Sequence, residues 1–188
     1  SLEKEFLQGF ISDFMIILKI GRSILTNKDS TESEIDAVSL KRIASEIKAS
    51  LDNSSKELII VHGAGSFGHP PAKKYRIGEA FDKAEYPQKR IGFCETQNAV
   101  KKLNMLICEA FIAEGLPVVA IPASSFMTAS NKRITQGNLD YFKKYLDKGC
   151  IPVIYGDVVL DEELEICVIS GDQLIQYLAM NLNPDLVV

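Results

Sequence analysis

The sequence predicts an α/β protein, a three-layer α/β/α sandwich around a mainly parallel sheet. Three observations predict it. Apolar runs of strand length recur at residues 15–20, 58–61, 118–121 and 151–155. Their β-branched content suits strands buried on both faces. Between them stand stretches at 35–51, 92–114 and 136–146 whose apolar residues recur at helical spacing. Glycine turns follow two of the strands directly, at Gly21 and at Gly63 to Gly68. Repeated strand–helix pairs build a parallel sheet between layers of helices.

Composition bounds the function. A chain of 188 residues can bury one sizeable core. With 46% hydrophobic and 24% charged residues it reads as an ordinary globular protein. The net charge of −4 predicts no nucleic-acid partner. No run reaches the roughly 18 apolar residues that span a bilayer, and the start shows no secretory signal pattern, so no membrane partner is expected. Cys94, Cys108, Cys150 and Cys167 are scattered, without C-x-x-C or metal-ligand spacing. They read as buried free thiols of a reducing, cytoplasmic protein, and no metal-ligating set is assigned.

The first element is a stretch at 1–14 with Leu2, Phe6, Phe10 and Phe14 at helical spacing. Strand 15–20 carries Lys19 inside an apolar run. Such a lysine is costly unless it meets an anion or snorkels to water, and both readings stand. Gly21-Arg22-Ser23 is the turn, with Lys28 in a second turn beyond it. Helix 35–51 presents Val38, Leu40, Ile43, Ile47 and Leu51 on one face.

Strand 58–61 runs into His62-Gly63-Ala64-Gly65-Ser66-Phe67-Gly68-His69. In open α/β sheets ligands sit at the carboxyl ends of strands, beside such turns. Without a Cβ, backbone N–H groups can close on an oxyanion, and His69 adds a polar or cationic side chain at the mouth. The alternative is a turn whose glycines serve only the backbone. No Gly-Lys-Ser/Thr follows, which excludes the Walker pattern. Gly63, Gly65 and Gly68 fit G-x-G-x-x-G, but Pro70-Pro71 follows at once. No acidic residue closes a second strand about 20 residues on, which argues against a dinucleotide-binding oxidoreductase.

Pro70-Pro71 opens a short helix whose Lys73 and Lys74 face solvent. Residues 76–90 are polar and rich in turn formers, which predicts a mobile loop over an acceptor site. Helix 92–114 keeps Ala99, Leu103, Leu106, Ile107, Ala110 and Phe111 on its apolar face. Gln97 and Asn98 can line a pocket or face solvent. Strand 118–121, a loop at 122–126, helix 136–146 with Gly149 as its cap, and strand 151–155 follow. That strand ends at Gly156-Asp157, a carboxylate at the crevice edge. Residues 158–168 form a hairpin with an acidic tip. Ser170-Gly171-Asp172 begins helix 173–180, where Asp172 can act as a cap. Residues 186–188 begin a strand.

Ile17-Leu18-Lys19-Ile20-Gly21-x-Ser23 with Lys28, the Gly63–His69 turn, Tyr155-Gly156-Asp157-Val158 and Ile169-Ser170-Gly171-Asp172 together resemble the amino acid kinase superfamily. Within it, the turn closed by His69 resembles the isopentenyl phosphate kinases of archaeal type. The resemblance runs from Met15 to the end. It implies residues 1–14 as an N-terminal extension. It also implies 15–188 as the phosphate-acceptor portion of a kinase domain whose C-terminal, nucleotide-binding portion is missing. The implied activity is ATP-dependent phosphorylation of isopentenyl phosphate, with Mg²⁺ accompanying ATP, in a cytoplasmic homodimer.

The resemblance also implies roles for residues. Lys19, Lys28, His69 and Asp172 are catalytic, with Asp172 and Asp157 holding the lysines. Gly63, Ala64, Gly65, His69 and Gly92 bind the acceptor. Lys19, Gly21, Ser23, Gly65, Asp157, Ser170 and Gly171 bind ATP. Arg22 departs from the family's Gly-Gly-Ser. The rivals are a kinase of the same fold acting on a carboxylate or carbamate, and a non-catalytic phosphate-binding fragment.

Overall fold

A computed structural model of the chain describes residues 14–21, 35–52 and 56–188. The readings at residues 1–13 and at Arg22, Ser23 and Lys28 lie outside the described residues. In chain order the elements are β1 (Phe14–Ile20), α1 (Ala37–Leu51), β2 (Lys56–His62), α2 (Gly65–Lys74), α3 (Tyr86–Ala113), β3 (Val118–Ala120), β4 (Met127–Ser130) and β5 (Arg133–Gly137). Then come α4 (Asp140–Leu146), β6 (Ile151–Tyr155), β7 (Asp157–Asp161), β8 (Glu165–Ile169), α5 (Gly171–Leu182) and β9 (Leu186–Val187).

The central sheet has the order β3-β6-β2-β1-β9, and every pairing in it is parallel. Alternation along its strands divides the core. Leu58 and Ile60 of β2 point to the layer that holds Leu40 and Ala44 of α1 and Leu103, Ile107 and Phe111 of α3. Ile59 and Val61 point to the opposite layer, with Phe142 of α4 and Leu174 and Leu178 of α5. The expected three-layer sandwich is therefore present. A second, mixed sheet of order β5-β4-β7-β8 lies in the α5 layer, contributing Met127, Ala129, Val159 and Cys167 to that core.

Several boundaries differ from the sequence expectation, each for a physical reason. Helix α2 begins at Gly65 rather than at the prolines, because the glycine turn winds into the first helical turn, with Gly68 N donating to Ala64 O at 3.0 Å. Pro70 and Pro71 lie inside it, and the helix ends soon after these two missing donors. Helix α3 starts at Tyr86, well before Gly92, so most of the expected loop over 76–90 shortens to the turn between Lys74 and Lys83. Asp82 and Glu85 form a capping box just ahead of it, and Pro87 sits in the first turn, where its missing N–H costs nothing. Lys89 is buried there and donates to Arg76 O at 2.7 Å.

Residues 127–137 form a hairpin, so the helix expected from 136 begins only at Asp140. Its turn is Asn131-Lys132, with φ of 47° and 64°. The common signal for two successive positive φ values is Asn-Gly, and a lysine at the second position conceals it. Val38, expected on the buried face of α1, is 81% exposed; the face is Leu40, Ala44 and Ile47. Cys94 is exposed. Burial pushes the thiols of Cys108 and Cys167 up to about 11 and about 12, out of nucleophilic range.

Candidate active site

The candidate site is built at the carboxyl ends of β1, β2 and β6. Lys19 shares the face of β1 that carries Ile17, so its ammonium points to the α5 layer. There it hydrogen-bonds the Asp172 carboxylate. Asp172 is free for this because it is not the helix cap. Ser170 is: its hydroxyl accepts from Gln173 N at 3.2 Å, and the Gln173 side chain accepts from Ser170 N at 2.9 Å. The side chains of Lys19 and Asp172 are 39% and 77% exposed. An exposed ion pair adds little to stability, so Lys19 can exchange its carboxylate for a phosphate at small cost.

Two helix N-termini meet at this edge. Gly65 opens α2 at φ 56°, a conformation that favours glycine, and Gly171 opens α5. Both present first-turn N–H groups and the positive ends of their dipoles. The backbones touch without intervening side chains. A Cβ on Gly156 would lie 3.0 Å from Ala64 N and 3.4 Å from Gly171 N, and one on Gly171 would lie 3.2 Å from His62 O. Space is left at the turns themselves. Added at Gly21, a Cβ meets nothing within 4 Å among the described residues; at Gly63 it meets only Gly65 N, at 4.0 Å. His69 follows Gly65 by one helical turn on the same side of α2 and is exposed.

The remaining expected residues sit differently. Gly92 is buried inside α3, and a Cβ there would come within 2.3 Å of Tyr75 Cβ, so its observed role is to let α2 and α3 pack. Asp157 is 1% exposed. Its carboxylate accepts from Ser124 N at 3.1 Å and from its own neighbour, Val158 N, at 2.9 Å. Burial raises its pKa. The structure thus brings Lys19 and Asp172 together and directs Asp157 to the loop after β3, where Gln97 also donates to Ser124 Oγ. Asn98 is exposed. Among the described residues no cluster of three His, Cys, Asp or Glu side chains could hold a metal ion. Among the described residues no helix is long and apolar enough to cross a membrane.

The amino acid kinase family matches residues 14–188. The chain belongs to the amino acid kinase family. Among its members, the isopentenyl phosphate kinase of Methanothermobacter thermautotrophicus is 49% identical over 177 residues, covering 93% of this chain. The one of Methanocaldococcus jannaschii is 40% identical over 178 residues, covering 92% of this chain and 67% of the relative. The chain spans 65% of the length of the Methanothermobacter relative. An X-ray structure of isopentenyl phosphate kinase superposes with a TM-score of 0.86 at 48% identity, covering 92% of this chain and 71% of that one. Aspartate kinase from Synechocystis, 16% identical with a TM-score of 0.63, shares the fold alone.

Seen as a member of this kinase family, the chain has one buried group at the turn that sequence reasoning passed over. His62 ends β2 on the α3 side, opposite Lys19. The signal was there: with Leu58 and Ile60 facing α3, period-two alternation sends His62 the same way.

Proposed function

We propose that this chain carries the phosphate-acceptor site of an isopentenyl phosphate kinase, which transfers the γ-phosphoryl group of ATP to isopentenyl phosphate. The observation that supports this most is the pairing of Lys19 with Asp172 beside two glycine-headed helix N-termini. The names of the relatives supply the substrate. An acceptor phosphate oxygen attacks the γ-phosphorus, the bond to the bridging oxygen breaks, and ADP leaves with its electron pair. The acceptor is already ionised near neutral pH, so no general base is needed.

Catalysis here is positioning and charge neutralisation. The N–H groups of Ala64 and Gly65 hold the acceptor phosphate, and His69 donates to it. Lys19 neutralises the group in transit, and Asp172 orients Lys19. The resemblance to the family gives Lys28 a share in that neutralisation and assigns Gly21, Ser23, Ser170 and Gly171 to the ATP phosphates. Mg²⁺ would arrive with ATP and offset the charge of its phosphates. The scattered thiols support a reducing, cytoplasmic setting. Ile91, Met105 and Ile112, exposed at multiples of seven on α3, support pairing of two copies through that helix.

The test is calorimetric titration with isopentenyl phosphate, followed by kinetics of ADP release, for the chain and its His69→Ala variant. Saturable binding that the variant loses supports the reading. Equal binding of acetate or carbamate would favour the carboxylate kinase.

A further inference from the structure

His62 is completely buried. Its ring stacks on Tyr155 with centroids 5.2 Å apart and planes at 13°. Nδ1 lies 2.9 Å from the carbonyl oxygen of Gly63, the next residue. Nε2 lies 3.0 Å from Oδ1 of the buried Asn104 carboxamide, and Cys108 Sγ lies 3.8 Å from the same atom.

The chemistry of these partners fixes the tautomer. Burial lowers the imidazole pKa against the pull of its two hydrogen bonds, so the ring is neutral. A neutral imidazole has one donor and one acceptor nitrogen. The Gly63 carbonyl can only accept, so Nδ1 carries the hydrogen. Nε2 is then an acceptor, and a half-turn of the Asn104 carboxamide presents its NH₂ to the ring, with its second N–H toward the Cys108 sulfur.

We infer that His62 is a positioning residue, whose Nδ1–H pins the Gly63 carbonyl and so aims the Ala64 N–H at the acceptor phosphate. This rests on the acceptor site proposed above. The Gly63–Ala64 peptide is trans, so its C=O and N–H point in opposite directions. The carbonyl is held on the α3 side. The N–H is turned the other way, toward Gly156, whose Cβ position is 3.0 Å from Ala64 N. That is the side of α5, Asp172 and Lys19. A glycine before the peptide leaves it free to rotate, because no Cβ resists. The ring supplies the missing restraint and, being buried, keeps it when ligand comes and goes.

Three measurements test this on the whole chain. Long-range ¹H–¹⁵N spectra of the imidazoles read the tautomer directly; protonated Nδ1 with bare Nε2 is expected. An Nε2–H tautomer or an imidazolium would overturn the inference. Substitutions then separate the contacts. In His62→Asn the amide nitrogen replaces Nδ1; in His62→Gln it replaces Nε2; in His62→Phe only the stacking ring remains.

The expected result is a KM for isopentenyl phosphate raised about tenfold in His62→Gln and His62→Phe, the cost of one lost hydrogen bond. KM for ATP stays constant, and His62→Asn recovers most of the loss. An unchanged KM in His62→Phe would mean that the ring only packs; a defect in His62→Asn as large as in His62→Gln, or equal changes in both KM values, would also overturn the inference. Titration with inorganic phosphate, followed at the Ala64 and Gly65 amides, needs no turnover. If isopentenyl phosphate is not a substrate but these shifts depend on His62, the proposed activity fails and the positioning role stands. If the substrate is turned over and His62→Phe leaves its KM alone, the reverse holds.

Discussion

Lys19 gains nothing from its strand except position. It sits in an apolar run, reaches the carboxyl end of the sheet, and finds Asp172 there. Lys19→Met should lower kcat by about 10²–10³ while leaving acceptor binding within a few fold, read by steady-state kinetics beside calorimetry. Asp172→Asn should cost less, since it removes only the carboxylate paired with Lys19 and leaves the ammonium itself. Asp161 is the contrasting carboxylate. It is 4% exposed and accepts from Asn131, Lys132, Glu163 and Leu164 N–H groups at 2.7–3.0 Å. Burial alone would push its pKa up, but the backbone donors of Lys132, Leu164 and Glu163 outweigh burial and hold it down to about 2. The folded value is below the unfolded one, so this stability is present above pH ~4 and lost as pH falls toward 2. Asp161→Asn should lower the urea-unfolding free energy by about 2 kcal/mol at pH 7, with the gap to wild type closing below pH 4.

At the scale of elements, the α2–α3 contact decides how the glycine turn after β2 is supported. Gly68 and Gly92 are the points of closest approach, where an added Cβ would meet Val100 Cγ1 at 2.5 Å and Tyr75 Cβ at 2.3 Å. Gly92→Ala should destabilise by about 1–3 kcal/mol, measured by urea unfolding, because the obstruction is a neighbour's Cβ rather than the end of a flexible side chain. The strands of the central sheet were legible because buried parallel strands are continuous apolar runs. The glycine turns were legible because they follow those runs directly. The early start of α3 was not: residues 86–91 are largely exposed and polar, and only a capping box and Pro87 mark them. The β4–β5 hairpin was hidden because its turn residues are held by Asp161, distant in sequence, rather than by their own preference. For the same reason Asp157 looked like a crevice carboxylate. Nothing local announces that Ser124 takes its oxygen.

Over the whole molecule, one sheet separates two cores, and the candidate site sits on the edge between them. Lys19 belongs to one layer and His62 to the other, so either core can disturb the chemistry without touching ligand. The outer face of α3 carries Ile91, Met105 and Ile112 into solvent. Under the pairing proposed for this face, Met105→Glu should leave the circular-dichroism spectrum unchanged and shift the sedimentation coefficient toward that of a single chain. An unshifted coefficient would remove α3 as the pairing surface. Gln173 has a consequence of a mechanical kind. Its side chain is bonded at both ends, accepting from Ser170 N and donating to Lys132 O at 2.6 Å. Hairpin tips are ordinarily where proteases cut and amides exchange first. This tip is moored to the residue beside Asp172, so lifting it pulls on the helix start that carries the carboxylate paired with Lys19. Cleavage at Lys132 should therefore be slow in the folded chain, and any treatment that speeds it should loosen the ammonium in the same measure.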